Sequence, residues 1–135
     1  MIVVDSNILV YLWLPGSATA TAQTLWQRDD NWHVPILWRS ELRNILLGYL
    51  RRGALDFAAV KSIMQSMEET LMAHEHLVES DSVLSLAQKS NCSAYHCEFV
   101  ALAETLSVPL VTEDKAILKA FPMRALTMNA FIKSG

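Results

Sequence analysis

Cysteine is nearly absent from this chain: Cys92 and Cys97 are the only two in 135 residues, and they stand five apart. That spacing lacks the second pair of a zinc ribbon and is not the two-residue gap of a redox dithiol, so free, wholly or partly buried thiols are expected. An excess of positive charge is absent too. Eleven basic residues against fourteen acidic ones leave a formal charge of −3, which excludes a globally basic nucleic-acid surface while allowing a local basic rim on an acidic site. No apolar run approaches the roughly twenty residues a membrane helix needs. The amino terminus enters an apolar segment without the basic region of a signal peptide, so a cytoplasmic protein without membrane contact is expected. Internal repeats and low-complexity tracts are missing, and the four histidines at positions 33, 74, 76 and 96 match no recognised zinc pattern. What the chain does have is core-forming material: 52% of it is hydrophobic and 19% charged. Its length suits one soluble domain spanning residues 1–135.

The run Ile2, Val3, Val4 ends abruptly at Asp5. It is too short for a buried helix and too continuous for a half-exposed strand, so it reads as a central parallel strand. Ser6 and Asn7 can cap or turn the chain before an apolar piece from Ile8 to Leu14, which Pro15 and Gly16 end. Ser17 is a candidate cap for a helix to about Arg28, and Trp32–Pro35 is a second strand. Helices are predicted over about 36–49, with a basic end and a glycine exit at Arg51, Arg52 and Gly53, and over about 56–72. In the latter, Phe57, Val60, Met64, Met67 and Leu71 fall at helical spacing and read as packing. Residues 76–78 fit either strand or loop. Short helices to Gln88 and from Ala94 to Leu106, the second capped by Ser93, precede a strand over 108–112. A helix over 114–120 and a last strand over 124–127 complete the reading. This alternation implies a parallel sheet covered on both faces, with ligands bound beyond the carboxyl ends of its strands.

Asp5 and Asp114 each follow such a strand and would share that edge. Either can equally serve as a cap or turn residue. Glu41 lies on a helix at the border of an apolar stripe formed with Leu37 and Ile45; it can face a polar cleft or pair with a basic neighbour on the surface, and periodicity alone points to the surface. Taken together, three carboxylates converging from distant segments repel one another, and a hydrated divalent cation is what commonly makes such a cluster tolerable. Oxygen ligands point to Mg2+ or Mn2+ before zinc.

The start IVVDSNILVYL, Glu41, and the segment SAYHCEFVALAETLSVPLVTEDKAILKAF with Asp114 resemble the PIN-domain proteins, in particular VapC-like toxins of bacterial toxin–antitoxin pairs. The resemblance spans nearly the whole chain. It implies a three-layer α/β/α sandwich, a metal-dependent endoribonuclease, a homodimer and neutralisation by a small cognate antitoxin. By resemblance Asp5, Glu41 and Asp114 are catalytic and metal-holding, and Asn7 orients the first carboxylate. The departure is His96, where the family's Ser-x-Tyr-Asp pattern carries aspartate. An imidazole brings no negative charge and favours softer ions, so His96 is expected as an altered ligand in a weakened or manganese-preferring nuclease. The competing expectation is a PIN-fold RNA-binding or partner-binding protein without useful catalysis. Glu98, about 200° around the helix from His96, is a poor substitute, and Glu104 is expected to face solvent.

For RNA contacts the candidates are Arg39 and Arg43, one helical turn apart, and Lys115 beside Asp114, with Arg51 and Arg52 further along the same helix. Trp26 and Trp38 are expected in the core, and Trp13, just before its turn, fits either core packing or an exposed contact surface, with packing favoured. Leu42, Leu46 and Leu50 form a second apolar stripe that an antitoxin helix or a second copy could cover.

Overall fold

A computed structural model describes residues 1–134. Its centre is a five-stranded sheet, all parallel, in the order β3-β2-β1-β4-β5. The strands are β1 (Ile2–Val4), β2 (Trp32–Pro35), β3 (Glu75–His76), β4 (Leu110–Val111) and β5 (Ala125–Leu126). Around them run α1 (Ser6–Trp13), α2 (Thr19–Arg28), α3 (Trp38–Arg51), α4 (Phe57–Leu71), α5 (Ser80–Gln88), α6 (Ala94–Leu106), α7 (Lys115–Ala120) and α8 (Met128–Lys133). The three-layer α/β/α sandwich expected from the sequence is the fold observed.

Alternation along β1 sets up the two faces. Ile2 and Val4 join a core containing Ile8, Leu25, Trp32, Trp38, Leu42 and Met67, while Val3 joins another with Phe99, Val100, Leu102 and Ile117. Trp32, Trp38 and Phe99 are fully buried, and truncating a side chain of that size to alanine typically costs about 3–5 kcal/mol. No helix among the described residues is long and apolar enough to cross a membrane.

Several local expectations shift. Asp5 caps α1 through its carboxylate, so the apolar piece after it is helical; Ile8 and Leu9 are buried and Val10–Trp13 are partly covered. Ser17 caps nothing: α2 begins at Thr19, whose hydroxyl takes the Gly16 amide and donates to the Leu14 carbonyl. Phe57 does not pack inward; it is exposed beneath the Lys61 ammonium. Trp13 is half-buried and donates to Ser66 Oγ, tying α1 to α4. Of the Leu42, Leu46 and Leu50 stripe, the first two are buried in the core and Leu50 is partly buried. Cys92 and Cys97 are free and buried, as expected. At the end of α3, Gly53 takes the positive φ of 75° that makes it the glycine exit.

β1 lies centrally because the chain first builds outward through β2 to β3 and then crosses back to β4 on its other side. The crevice beyond the carboxyl ends of β1 and β4 is the point at which the winding reverses, where sheets of this kind bind ligands.

Candidate functional site

That crevice is a cleft of about 210 Å³ lined by Asp5, Ser6, Asn7, Glu41, Asn44, Ile45, His96 and Asp114. Each acidic side chain is delivered by the end of an element. Asp5 leaves β1 with its amide still bonded to the Val111 carbonyl, and then caps α1. Asp114 follows β4 and caps α7, accepting from the Ile117 amide at 2.9 Å. Glu41 comes from the first turn of α3. His96 enters from α6, which Ser93 caps by accepting the His96 amide. Capping and cleft-lining are therefore the same act for both aspartates.

Two hydroxyls that sequence reasoning passed over fix the carboxylates. The Ser6 amide donates to Asp5 Oδ1 at 2.8 Å, and Ser6 Oγ donates to Glu41 Oε1 at 2.7 Å. Thr112, with no exposed surface, donates to Asp5 Oδ2 at 2.7 Å and accepts the Asp114 amide at 3.0 Å. The only signal for either was a small hydroxyl residue one position after, or two before, a candidate aspartate.

Burial pushes the Asp5 carboxyl above the usual range, helped by the charge of Asp114 and opposed by the Thr112 and Ser6 hydrogen bonds. Glu41 is pushed up in the same way, by burial first and then by the charges of Asp5 and Glu98, against the Ser6 hydrogen bond. His96 Nε2 lies 3.4 Å from Asp114 Oδ2, while its Nδ1 is buried without a hydrogen-bond partner. No lysine or arginine lines the cleft among the described residues. The donor set thus suits a hard cation, since mutually repelling, ionisable oxygens face one cavity without a protein counter-charge. Among the described residues no three of these groups are close enough to grip one ion directly.

The structure brings together Asp5, Asn7, Glu41, His96 and Asp114. It does not bring the expected RNA contacts with them. Arg39 is engaged by Glu75 and Glu68, and Arg43 and Lys115 are exposed but do not line the cleft. Asn44 is an unforeseen member. Glu98 lines a separate apolar depression with Ile36, Leu77 and Val83, in keeping with its expected exclusion, and Glu104 is exposed.

A family model described as PIN domain matches residues 2–121. Ribonuclease VapC3 of Pyrobaculum aerophilum is 26% identical over 124 residues, covering 90% of this chain and 95% of that protein. The crystal structure of PAE2754 from Pyrobaculum aerophilum superposes with a TM-score of 0.76 at 20% identity, over 97% of this chain and 92% of the other. FitAcB from Neisseria gonorrhoeae gives 0.74 at 13% identity, over 95% and 98%. A toxin–antitoxin complex from Klebsiella pneumoniae gives 0.68 at 13% identity, again over 95% and 98%.

Proposed function

The chain belongs to the PIN-domain family, and on that premise we propose that it is a divalent-metal-dependent endoribonuclease acting as the toxin of a toxin–antitoxin pair. The observation that carries this reading is the single cleft in which Asp5, Glu41, Asp114 and His96 face one another with no lysine or arginine among its lining. Similarity to a protein named a ribonuclease supports the substrate class, and the fold shared with a toxin–antitoxin complex supports the biological setting.

In this proposal Asp5 and Asp114 would hold the ion, Glu41 would position or deprotonate the attacking water, and His96 would serve as an altered ligand in place of the usual aspartate. A bound Mg2+ or Mn2+ supplies charge stabilisation to an in-line displacement at phosphorus. The residues supply the rest. Ser6 holds Asp5 and Glu41 at fixed separation, Thr112 holds Asp5 against the Asp114 loop, and the raised Glu41 carboxyl is a stronger base than an exposed glutamate. Water adds to phosphorus as its proton passes toward Glu41, the bond from phosphorus to the ribose 3′-oxygen breaks, that oxygen takes a proton from solvent water, and the products carry a 5′-phosphate and a 3′-hydroxyl. A small cognate antitoxin and a second copy of the chain belong to the same proposal, with exposed Leu77 and Leu84 offering apolar surface for association.

One feature favours a second reading. His96 leaves three carboxylates in the cleft instead of four, and the second reading is a chain that binds RNA or a partner with little turnover. The test is cleavage of a mixed structured-RNA substrate in magnesium or manganese by purified, antitoxin-free protein. Cleavage, strongest in manganese and lost in Asp5→Asn, is expected. Cleavage that survives Asp5→Asn would sink the assignment, and silence from the natural chain beside activity from His96→Asp would establish the second reading.

A further inference from the structure

Helix α3 carries Glu41 near its amino end, and Arg52 ends it as the C-cap residue. At about 100° per residue, Arg52 projects within roughly 20° of Glu41, and Gly48 within roughly 20° on the other side. Ile45 and Asn44, both lining the cleft, lie on the same strip. A continuous stripe therefore runs from the acidic cleft down α3 to Arg52.

Gly48 is the unusual member, because glycine is the poorest ordinary helix former and stands here inside a 14-residue helix. A Cβ at that position would lie 3.3 Å from Arg52 Nη1. The guanidinium folds back along the helix over this bare position, and a Cβ there would push it aside by a few tenths of an ångström. It is also seated over the Tyr49 ring, 4.6 Å from the centroid. Its level on the axis, that of Gly48, is about 10 Å from Glu41, a distance that a nucleotide or two of a single strand can cover.

This cation is also uncommitted. Among the described residues Arg52 makes no ion pair, whereas Arg39 is held by Glu68 and Glu75. Arg43 projects about 200° from Glu41 and faces away. A polyanion approaching three carboxylates needs a positive contact outside the cleft, and a guanidinium on an aromatic ring provides both a bidentate phosphate donor and a stacking face.

We propose that Gly48, Tyr49 and Arg52 form a phosphate-binding subsite for single-stranded RNA, which holds a backbone phosphate neighbouring the one presented to the cleft. The identity of the ligand rests on the nuclease reading; the subsite itself rests on the α3 geometry.

The test measures binding of a short fluorescein-labelled oligouridylate by anisotropy in magnesium across a salt series. Asp5→Asn protein serves as the parent, so that the strand survives. Adding Arg52→Ala should weaken binding by about five- to tenfold and lower the slope of log affinity against log salt by about 0.7, the value for one phosphate contact on a single strand. Arg52→Lys should restore the slope. Gly48→Ala should raise the melting temperature yet weaken binding severalfold, a combination that a purely structural glycine does not produce. Arg43→Ala should match the parent. The subsite is overturned if Arg52→Ala keeps the parent affinity and slope, or if no oligouridylate binds; the stripe would then be left to a protein partner. Asp5-dependent cleavage with Arg52-independent binding removes the subsite and spares the nuclease. Arg52-dependent binding without cleavage does the reverse.

Discussion

The hydroxyl of Thr112 joins two aspartates that the chain keeps 109 residues apart, donating to Asp5 and accepting the amide of Asp114. Both bonds are lost in Thr112→Val, which preserves shape but leaves a buried carboxylate oxygen and a partly buried amide unpaired. The expected cost is about 2–3 kcal/mol in urea unfolding, with Thr112→Ser recovering most of it. The two variants should separate in a manganese titration as well: valine weakens cation binding and serine does not, because only valine frees Asp5 to turn. If valine and serine are equally stable, the double bond carries no weight. Asp5, Glu41 and Asp114 were legible as residues because a strand exit, or an acid bordering an apolar stripe, is visible in a linear sequence. Ser6 and Thr112 were not, since a hydroxyl announces its role only through partners that folding supplies. For Glu41 periodicity pointed to the surface. It stands partly buried because Ser6 Oγ, from a helix 35 residues earlier, meets it in the cleft.

At the scale of elements, Arg39 replaces an expected RNA contact with a knot between α3, β3 and α4. Its guanidinium donates twice to Glu75 and once to Glu68, and Trp38 Nε1 donates to the same Glu75 carboxylate at 2.6 Å. The Arg39 hydrogen bonds hold the Glu75 carboxyl below the usual glutamate range. The knot sits one turn or less before Glu41 and anchors a two-residue edge strand that has little apolar burial of its own. Arg39→Ala should therefore destabilise by about 1–3 kcal/mol, read by thermal or urea unfolding, while leaving oligouridylate affinity and its salt slope unchanged. A drop in slope with stability intact would restore Arg39 to the RNA surface. β3 itself was ambiguous in the sequence for the same reason that it needs this anchor: Glu75 and His76 carry no apolar pattern, and the strand is defined by pairing with β2. The central strands, the cap at Ser93 and the glycine exit at Gly53 were readable because each rests on local chemistry. The helix α8 was not anticipated; Thr127 caps it, and Glu113 accepts the Met128 amide from a loop 15 residues away.

Across the whole molecule, two sets of buried ionisable groups make opposite demands on pH. His33, buried between His74 and His76 in the sheet, is lowered to about 4 by burial first and then by the neighbouring imidazoles; the Met1 ammonium acts in the same direction and Asp29 against it. It faces His76 across 2.8 Å and stacks on His74, and the burial of His76 lowers its pKa too. A base lowered by folding binds its proton more weakly in the native state, so its contribution is complete above about pH 6.5 and is lost as pH falls toward 4. Between pH 7 and 5 this amounts to roughly 2 kcal/mol for His33. Asp5 and Glu41 run the other way: their carboxyls are raised by folding, so the cost of their charge is present at neutral pH and is relieved as pH falls through those raised values. A bound cation requires the charged carboxylates and would offset that cost where they are ionised. Manganese should therefore raise the melting temperature at pH 7.5, and the rise should shrink toward pH 5 as protons compete for Asp5 and Glu41. Asp5→Asn should melt at or above the natural chain without metal and gain nothing from manganese at either pH. His33→Gln should flatten the loss of stability between pH 7 and 5 while keeping the full manganese response. If His33→Gln abolished that response, the histidine edge and the acidic cleft would be one coupled system instead of two independent ones.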